Sequence, residues 1–222
     1  MVMGVGKQTP YRIPCLSFES SVPQLPSPQG WFFLSMQCLF FYAFCYTFAM
    51  RTFDEIYAQH AELPYVAPEY EAELLEKPIA KRNMERTDEG VLPGHIILLW
   101  RINFGTFNTQ STMHKYFYTT YGIDAQKELA WLIDAGYVRI QSAFESLVFL
   151  KAADLKAFLK AKGVPGLSKM KRPDLDAAMA EAYSEEELAP LFELRGYALT
   201  QAGQDLLAKH PEIVERHPQK KF

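Results

Sequence analysis

The charges of this 222-residue chain are sorted into blocks, and the blocks decide which stretches can be buried and which stay wet. Residues 31–50 carry no charge at all, twenty in a row. Residues 51–90 hold five basic and ten acidic residues, a net of −5. Residues 147–172 hold seven basic residues against Asp154 alone, a net of +6. Residues 173–193 follow with seven acidic residues and no basic one. The formal net charge of −3 hides this contrast. A chain with that average is not coated in positive charge, yet a local +6 attracts phosphate. The remaining composition, 49% apolar and 22% charged, is that of a globular protein with room for one domain or two small ones.

All three cysteines (Cys15, Cys38 and Cys45) lie in the first fifty residues. The rest of the chain therefore folds without disulfides or thiolate-bound zinc, as suits a reducing cytoplasm. Residues 31–50 have the length of a membrane-spanning helix. The proline-punctuated segment before them offers no small-x-small cleavage site, which argues against a signal peptide. Against an anchor, no basic cluster flanks them, since Arg51 is followed closely by Asp54 and Glu55. Met50-Arg-Thr-Phe-Asp-Glu-Ile also reads as a natural protein start. Residues 1–50 are thus a hydrophobic leader with two readings. As upstream sequence taken in by a misassigned initiation codon, they leave a cytoplasmic protein. As a single-pass anchor, they make the membrane a partner.

Residues 51–92 form a polar second leader broken by Pro64, Pro68 and Pro78, with a short helix predicted around residues 70–76. From Pro93 the apolar patterning strengthens. Ile96, Ile97, Leu98, Leu99, Trp100 and Ile102 predict a buried helix ending near Asn103. Met113, Tyr116 and Phe117 predict a second helix, stopping at Gly122. Asp124 is placed to cap a third, with Leu129, Leu132 and Ile133 as its apolar stripe and Gly136 as its stop. Residues 137–141 and 196–200 read as strands, and a last helix carries Leu206 and Leu207 to Pro211. Residues 211–222 are a polar tail.

Three helices, a strand, an excursion, a second strand and a final helix resemble a winged-helix arrangement. The matching pieces are Leu132-Ile-Asp-Ala-Gly-Tyr-Val138 and Tyr197-Ala-Leu-Thr-Gln-Ala-Gly203, with its Leu-Thr-x-x-Gly. The fold class expected is therefore mainly α, with a winged-helix-like body at residues 93–146 and 194–210 and a small β-hairpin. The resemblance would assign DNA reading to the third helix. That helix carries Asp124, Glu128 and Asp134 against Lys127, a balance that repels phosphate. The body reads as a scaffold.

Inserted in that body, residues 149–163 have Leu155, Phe158 and Leu159 on one helical face, Lys156 and Lys160 on another, and Lys162 at the exit before Gly163. An extended stretch from Val164 to Met170 leads to a second helix with Leu175 and Met179 inward. These residues, with the run Gly166…Ser168-Lys169-Met170-Lys171-Arg172, resemble the helix–extended loop–helix modules of the SAP type. They resemble still more closely the small N-terminal module of the transcription terminator Rho. The interval from Gly163 to Leu175 is about two residues longer than in SAP modules, which favours the Rho-like comparison. The order of segments downstream of Met50 is also similar to that of phage-like and bacterial proteins bearing SAP-like domains. The resemblance covers residues 147–182 and implies an accessory that tethers its protein to DNA or RNA. Its apolar framework maps to Leu155, Leu159, Val164, Met170 and Leu175, and its basic loop to Lys169, Lys171 and Arg172.

Independently, Lys169, Lys171 and Arg172 stand at a helix N-terminus, where backbone N–H groups and the dipole favour an anion. Lys156, Lys160 and Lys162 extend the patch. Neutralising about five phosphates would give a log–log salt slope of about −4 to −5 on duplex DNA. No Asn, Gln or arginine array near the patch suggests reading of bases. The bland reading is a solvated lysine face, with Glu185–Glu187 placed to fold back and neutralise it, or a module that docks a protein partner. No phosphate loop, dinucleotide fingerprint or His-Glu-x-x-His is present, and His60, His95, His114, His210 and His217 lack metal-ligand spacing. Non-catalytic nucleic-acid binding is expected, with no cofactor and no metal, and with a protein–protein adaptor as the alternative.

Overall fold

The computed structural model describes residues 52–218, so the expectations for residues 1–50 lie outside it. Among the described residues no helix is long and apolar enough to cross a membrane. The polar second leader is fastened to the body by its few large apolar side chains. Thr52 starts helix α1 (Phe53–Tyr57) with a capping box in which its Oγ and the Glu55 carboxylate each accept the other's backbone N–H. A 3₁₀ turn (Pro68–Tyr70) leads into α2 (Glu71–Glu76). Tyr57, Leu74, Ile79 and Met84 from this segment are all buried in the main core.

Helix α3 (Pro93–Asn103) begins on Pro93, whose fixed φ suits a first helical position. Ile96, Ile97, Leu98, Leu99 and Ile102 leave it apolar nearly all round, and such a helix belongs at the centre of a fold. The second predicted helix is confined to α4 (Lys115–Thr119), because Gly122 turns the chain at φ +60°. Asp124 caps α5 (Ala125–Asp134), accepting the Lys127 N–H. The helix ends in a Schellman motif: Gly136 N–H donates to the Ile133 carbonyl and Tyr137 N–H to that of Leu132. Strand β1 (Val138–Ile140) follows, and the chain then departs through α6 (Ala143–Ser146), α7 (Ala152–Ala161), α8 (Arg172–Ala182) and α9 (Glu185–Leu188). It returns as β2 (Tyr197–Leu199), antiparallel to β1 with Val138 opposite Leu199, and closes with α10 (Gln201–Lys209) and α11 (Pro211–Glu215). Helices α5, α10 and α11 and strand β2 all pack on α3. The described chain is thus mainly helical with one small two-stranded sheet.

The Leu-Thr-x-x-Gly run is explained by one close approach. Thr200 caps α10 by accepting the Gly203 N–H, while its own hydroxyl donates to the Gly136 carbonyl at 2.6 Å. This draws the first turn of α10 against the end of α5, so a β-carbon on Gly203 would collide with the Tyr137 carbonyl oxygen. Gly203→Ala is therefore expected to destabilise by about 1–3 kcal/mol, although alanine in an unconstrained helix position would stabilise by about 1 kcal/mol. Differential scanning calorimetry reads the sign, and a raised Tm would refute the close approach.

His95 is 2% exposed, a buried polar group at the start of α3. Its Nδ1 accepts the Leu92 N–H at 3.2 Å, so the ring proton resides on Nε2 and donates to Glu128 at 2.6 Å. Trp131 stacks on the ring at 4.9 Å. Burial outweighs Glu128 and pushes this imidazole below its ordinary pKa. His217, enclosed by Trp100, Tyr116 and Tyr121, is pushed down by burial and then by His114. Both take up a proton less readily in the fold than in the unfolded chain, which protonates them below pH about 6.5. Their contribution is complete above that pH and is lost as the pH falls beneath it. Glu89 and Glu145, held down at about 2, stay ionised throughout that window. Urea midpoints are expected to fall between pH 7.5 and 5.5, and an unchanged midpoint would contradict this account.

Candidate nucleic-acid interface

The basic segment lies in an excursion with a hydrophobic core of its own. Leu155 and Leu159 from α7 meet Leu175 and Met179 from α8, and all four are fully buried. The core extends beyond residues 147–182, drawing in Ala143 upstream and Tyr183 and Leu188 downstream. Helix α7 stops as its sequence predicts. Gly163 takes φ +78°, and Val164 N–H reaches back to the Leu159 carbonyl while its side chain packs on this core. A turn closed by Lys169 N–H donating to the Gly166 carbonyl then carries the chain to α8.

The six basic residues singled out by the sequence divide into two groups. Lys160, Lys169 and Lys171 are exposed and Lys156 is half-buried, and none of the four has an ion-pair partner among the described residues. Lys156 and Lys160 stand one turn apart on α7, and Lys169 and Lys171 stand on the loop that enters α8. The other two are committed internally. Lys162 Nζ pairs with Glu187 at 2.7 Å and lies 4.6 Å from the centre of the Tyr183 ring. Arg172 points inward. Its guanidinium donates to the Leu147 carbonyl at 2.5 Å and to that of Leu150 at 2.8 Å, and it pairs with Asp176 at 2.8 Å. Arg172 therefore ties α8 to the segment that precedes α7, a role its place in a basic run did not reveal.

The helix N-terminus is also more occupied than its sequence suggests. The Asp174 carboxylate accepts the Lys171 N–H at 2.9 Å, and Pro173 contributes no N–H. Helix α7 starts the same way, with Asp154 accepting from Lys151 at 3.1 Å. The positive charge this module presents accordingly lies on ammonium groups more than at the helix end.

A groove of about 510 Å³ runs between α6 and α8, lined by the apolar Phe144, Leu147, Val148 and Ala180 and the charged Glu145, Arg172 and Asp176. Val148 is 64% exposed there. As for catalysis, the His95–Glu128 pair has its imidazole locked by the Leu92 N–H and buried away from solvent. Among the described residues no group of His, Cys, Asp and Glu is arranged to hold a metal ion. Compared with known proteins, the chain matches no family model, no curated relative and no solved structure.

Proposed function

We propose that this protein is a non-catalytic accessory that binds DNA or RNA through backbone phosphates, using the two-helix module on a winged-helix-like body. The observation that carries the reading is the division among the basic residues. The exposed Lys160, Lys169 and Lys171 and the half-buried Lys156 have no carboxylate partner among the described residues, on a module whose core is apolar. Ammonium groups of this kind exchange counterions for phosphates with little discrimination between sequences. The SAP-like and Rho-like resemblance points the same way. The body supports a scaffold role, because Glu128 of the third helix is engaged by His95 and Asp124 by a cap.

A protein adaptor is the second reading, favoured by the apolar groove at Val148. Salt separates the two, since four phosphate contacts on duplex DNA imply a log–log slope of about −3 to −4, and an apolar dock implies almost none.

The test is fluorescence anisotropy of labelled duplex DNA and single-stranded RNA with the full-length protein at two salt concentrations. Replacing the four lysines by alanine is expected to weaken binding at least tenfold and flatten the slope while leaving Tm in place. Salt-independent binding, or none at low salt by folded protein, would reject the reading. Arg172→Ala is expected to do the opposite, costing about 1–2 kcal/mol of stability through lost charged hydrogen bonds while folded protein still binds. Loss of binding without loss of stability would return Arg172 to the interface.

A further inference from the structure

Seven arginines lie among the described residues, and five have their guanidinium groups accounted for. Arg86 is held by Glu62 and the Gly90 carbonyl, and Arg139 by both oxygens of Glu145. Arg101 reaches Thr106 and His114, and Arg172 and Arg195 donate to backbone carbonyls. The exceptions are Arg82 and Arg216. Arg82 makes no hydrogen bond or ion pair among the described residues. Arg216 uses its Nε on the Glu212 carbonyl at 3.1 Å, and its terminal NH₂ groups make no hydrogen bond among the described residues.

These two side chains, 134 positions apart, line the same small cavity of about 80 Å³. It lies where the 3₁₀ turn Lys81–Asn83 meets the C-terminal ends of α4 and α11. Asn83, Thr120 and Tyr121 complete its polar wall, and no carboxylate of the described residues lines it. The Thr120 carbonyl, which would repel an anion, is already covered by Asn83 Nδ2 at 2.7 Å. Tyr121 stays a neutral phenol, its pKa pushed up to about 12 chiefly by burial. The volume is far below the several hundred Å³ of a pocket for a whole small molecule. It admits one compact group, and a pair of guanidinium forks suits the oxygens of a phosphate better than a point charge would.

We infer that Arg82 and Arg216 form a binding site for a single phosphate group, on the body and separate from the lysines of the module. The group arrives either as a free or small-molecule phosphate or as the terminal phosphate of a nucleic-acid strand.

Calorimetric titration of inorganic phosphate into the full-length protein tests this, with short 5′-phosphorylated and 5′-hydroxyl oligonucleotides as further arms. Saturable phosphate binding is expected with a Kd of about 1 mM or tighter. It should weaken about tenfold in Arg82→Ala and in Arg216→Ala, with Tm unchanged because both side chains are exposed. Arg82→Lys should restore little, since it keeps the charge and loses the fork. A preference for the 5′-phosphorylated strand that vanishes in Arg82→Ala assigns a chain end, and equal binding of both strands assigns the free or small-molecule phosphate. The variant lacking the four module lysines should keep its phosphate affinity, which separates this site from the nucleic-acid reading. No saturation by wild-type protein, or undiminished binding in the double arginine variant, would overturn the assignment.

Discussion

The module depends on a pair of hydrogen bonds at its base, both made by the backbone of Gly196. Gln141 N–H donates to the Gly196 carbonyl at 2.9 Å, and Gly196 N–H donates to Ser146 Oγ at 3.1 Å. The chain leaves the hairpin and re-enters it at the same point, so the excursion of more than fifty residues is an insertion with adjoining ends. A β-carbon on Gly196 would strike the Gln141 side chain and the Phe149 ring, so a larger residue there requires both to move. Ser146 is fully buried and its hydroxyl passes the bond on to the Ser142 carbonyl at 2.7 Å. The body supplies the hairpin and the excursion supplies its own core, and this junction fixes where one gives way to the other.

Around the junction, charged side chains satisfy backbone groups that the short helices leave over. Glu185 accepts the N–H groups of Ala143 and Phe144 at 2.5 and 3.2 Å, capping α6 from forty residues away. Arg195 donates to the carbonyls of Ala189, Phe192 and Leu194 just before β2 begins. Helices of four residues have too few internal bonds to be stable alone, and the Glu185 cap holds α6 from a distance while Arg195 closes the chain after α9 locally.

Much of this architecture was legible in the sequence where local chemistry dictates it. Pro93 marks the start of α3, Asp124 and Gly136 bound α5, and Gly163 ends α7, because caps and stops act within a few residues. The strands at residues 138–140 and 197–199 lie inside the segments 137–141 and 196–200 that read as strands. The second helix came out shorter than its Met113–Tyr121 spacing suggested, since the turn at Gly122 consumes its end. At the candidate site the lysines were legible as a cluster, but their division was not. Nothing adjacent to Arg172 announces that it will bond to Leu147 and Leu150, and nothing near Arg82 announces Arg216. Those relations arise from folding contacts across 22 and more positions, which local periodicity does not encode.

The sequence also posed a problem that its linear charge pattern could not resolve, namely why a +6 block beside a −7 block does not simply cancel. The acidic residues are largely spent on other work. Asp174 holds the Lys171 N–H, Glu185 holds the start of α6, and Asp176 holds Arg172, which is itself turned inward. Only Glu187 reaches a lysine of the patch, Lys162. A carboxylate bound to backbone N–H groups still contributes its charge at a distance, but water and salt screen that contribution beyond about 8–10 Å. Adjacency in sequence thus sets the net charge of the segment, while hydrogen bonding decides which charges remain able to meet a ligand. For Lys156, Lys160, Lys169 and Lys171 no carboxylate among the described residues has won that competition.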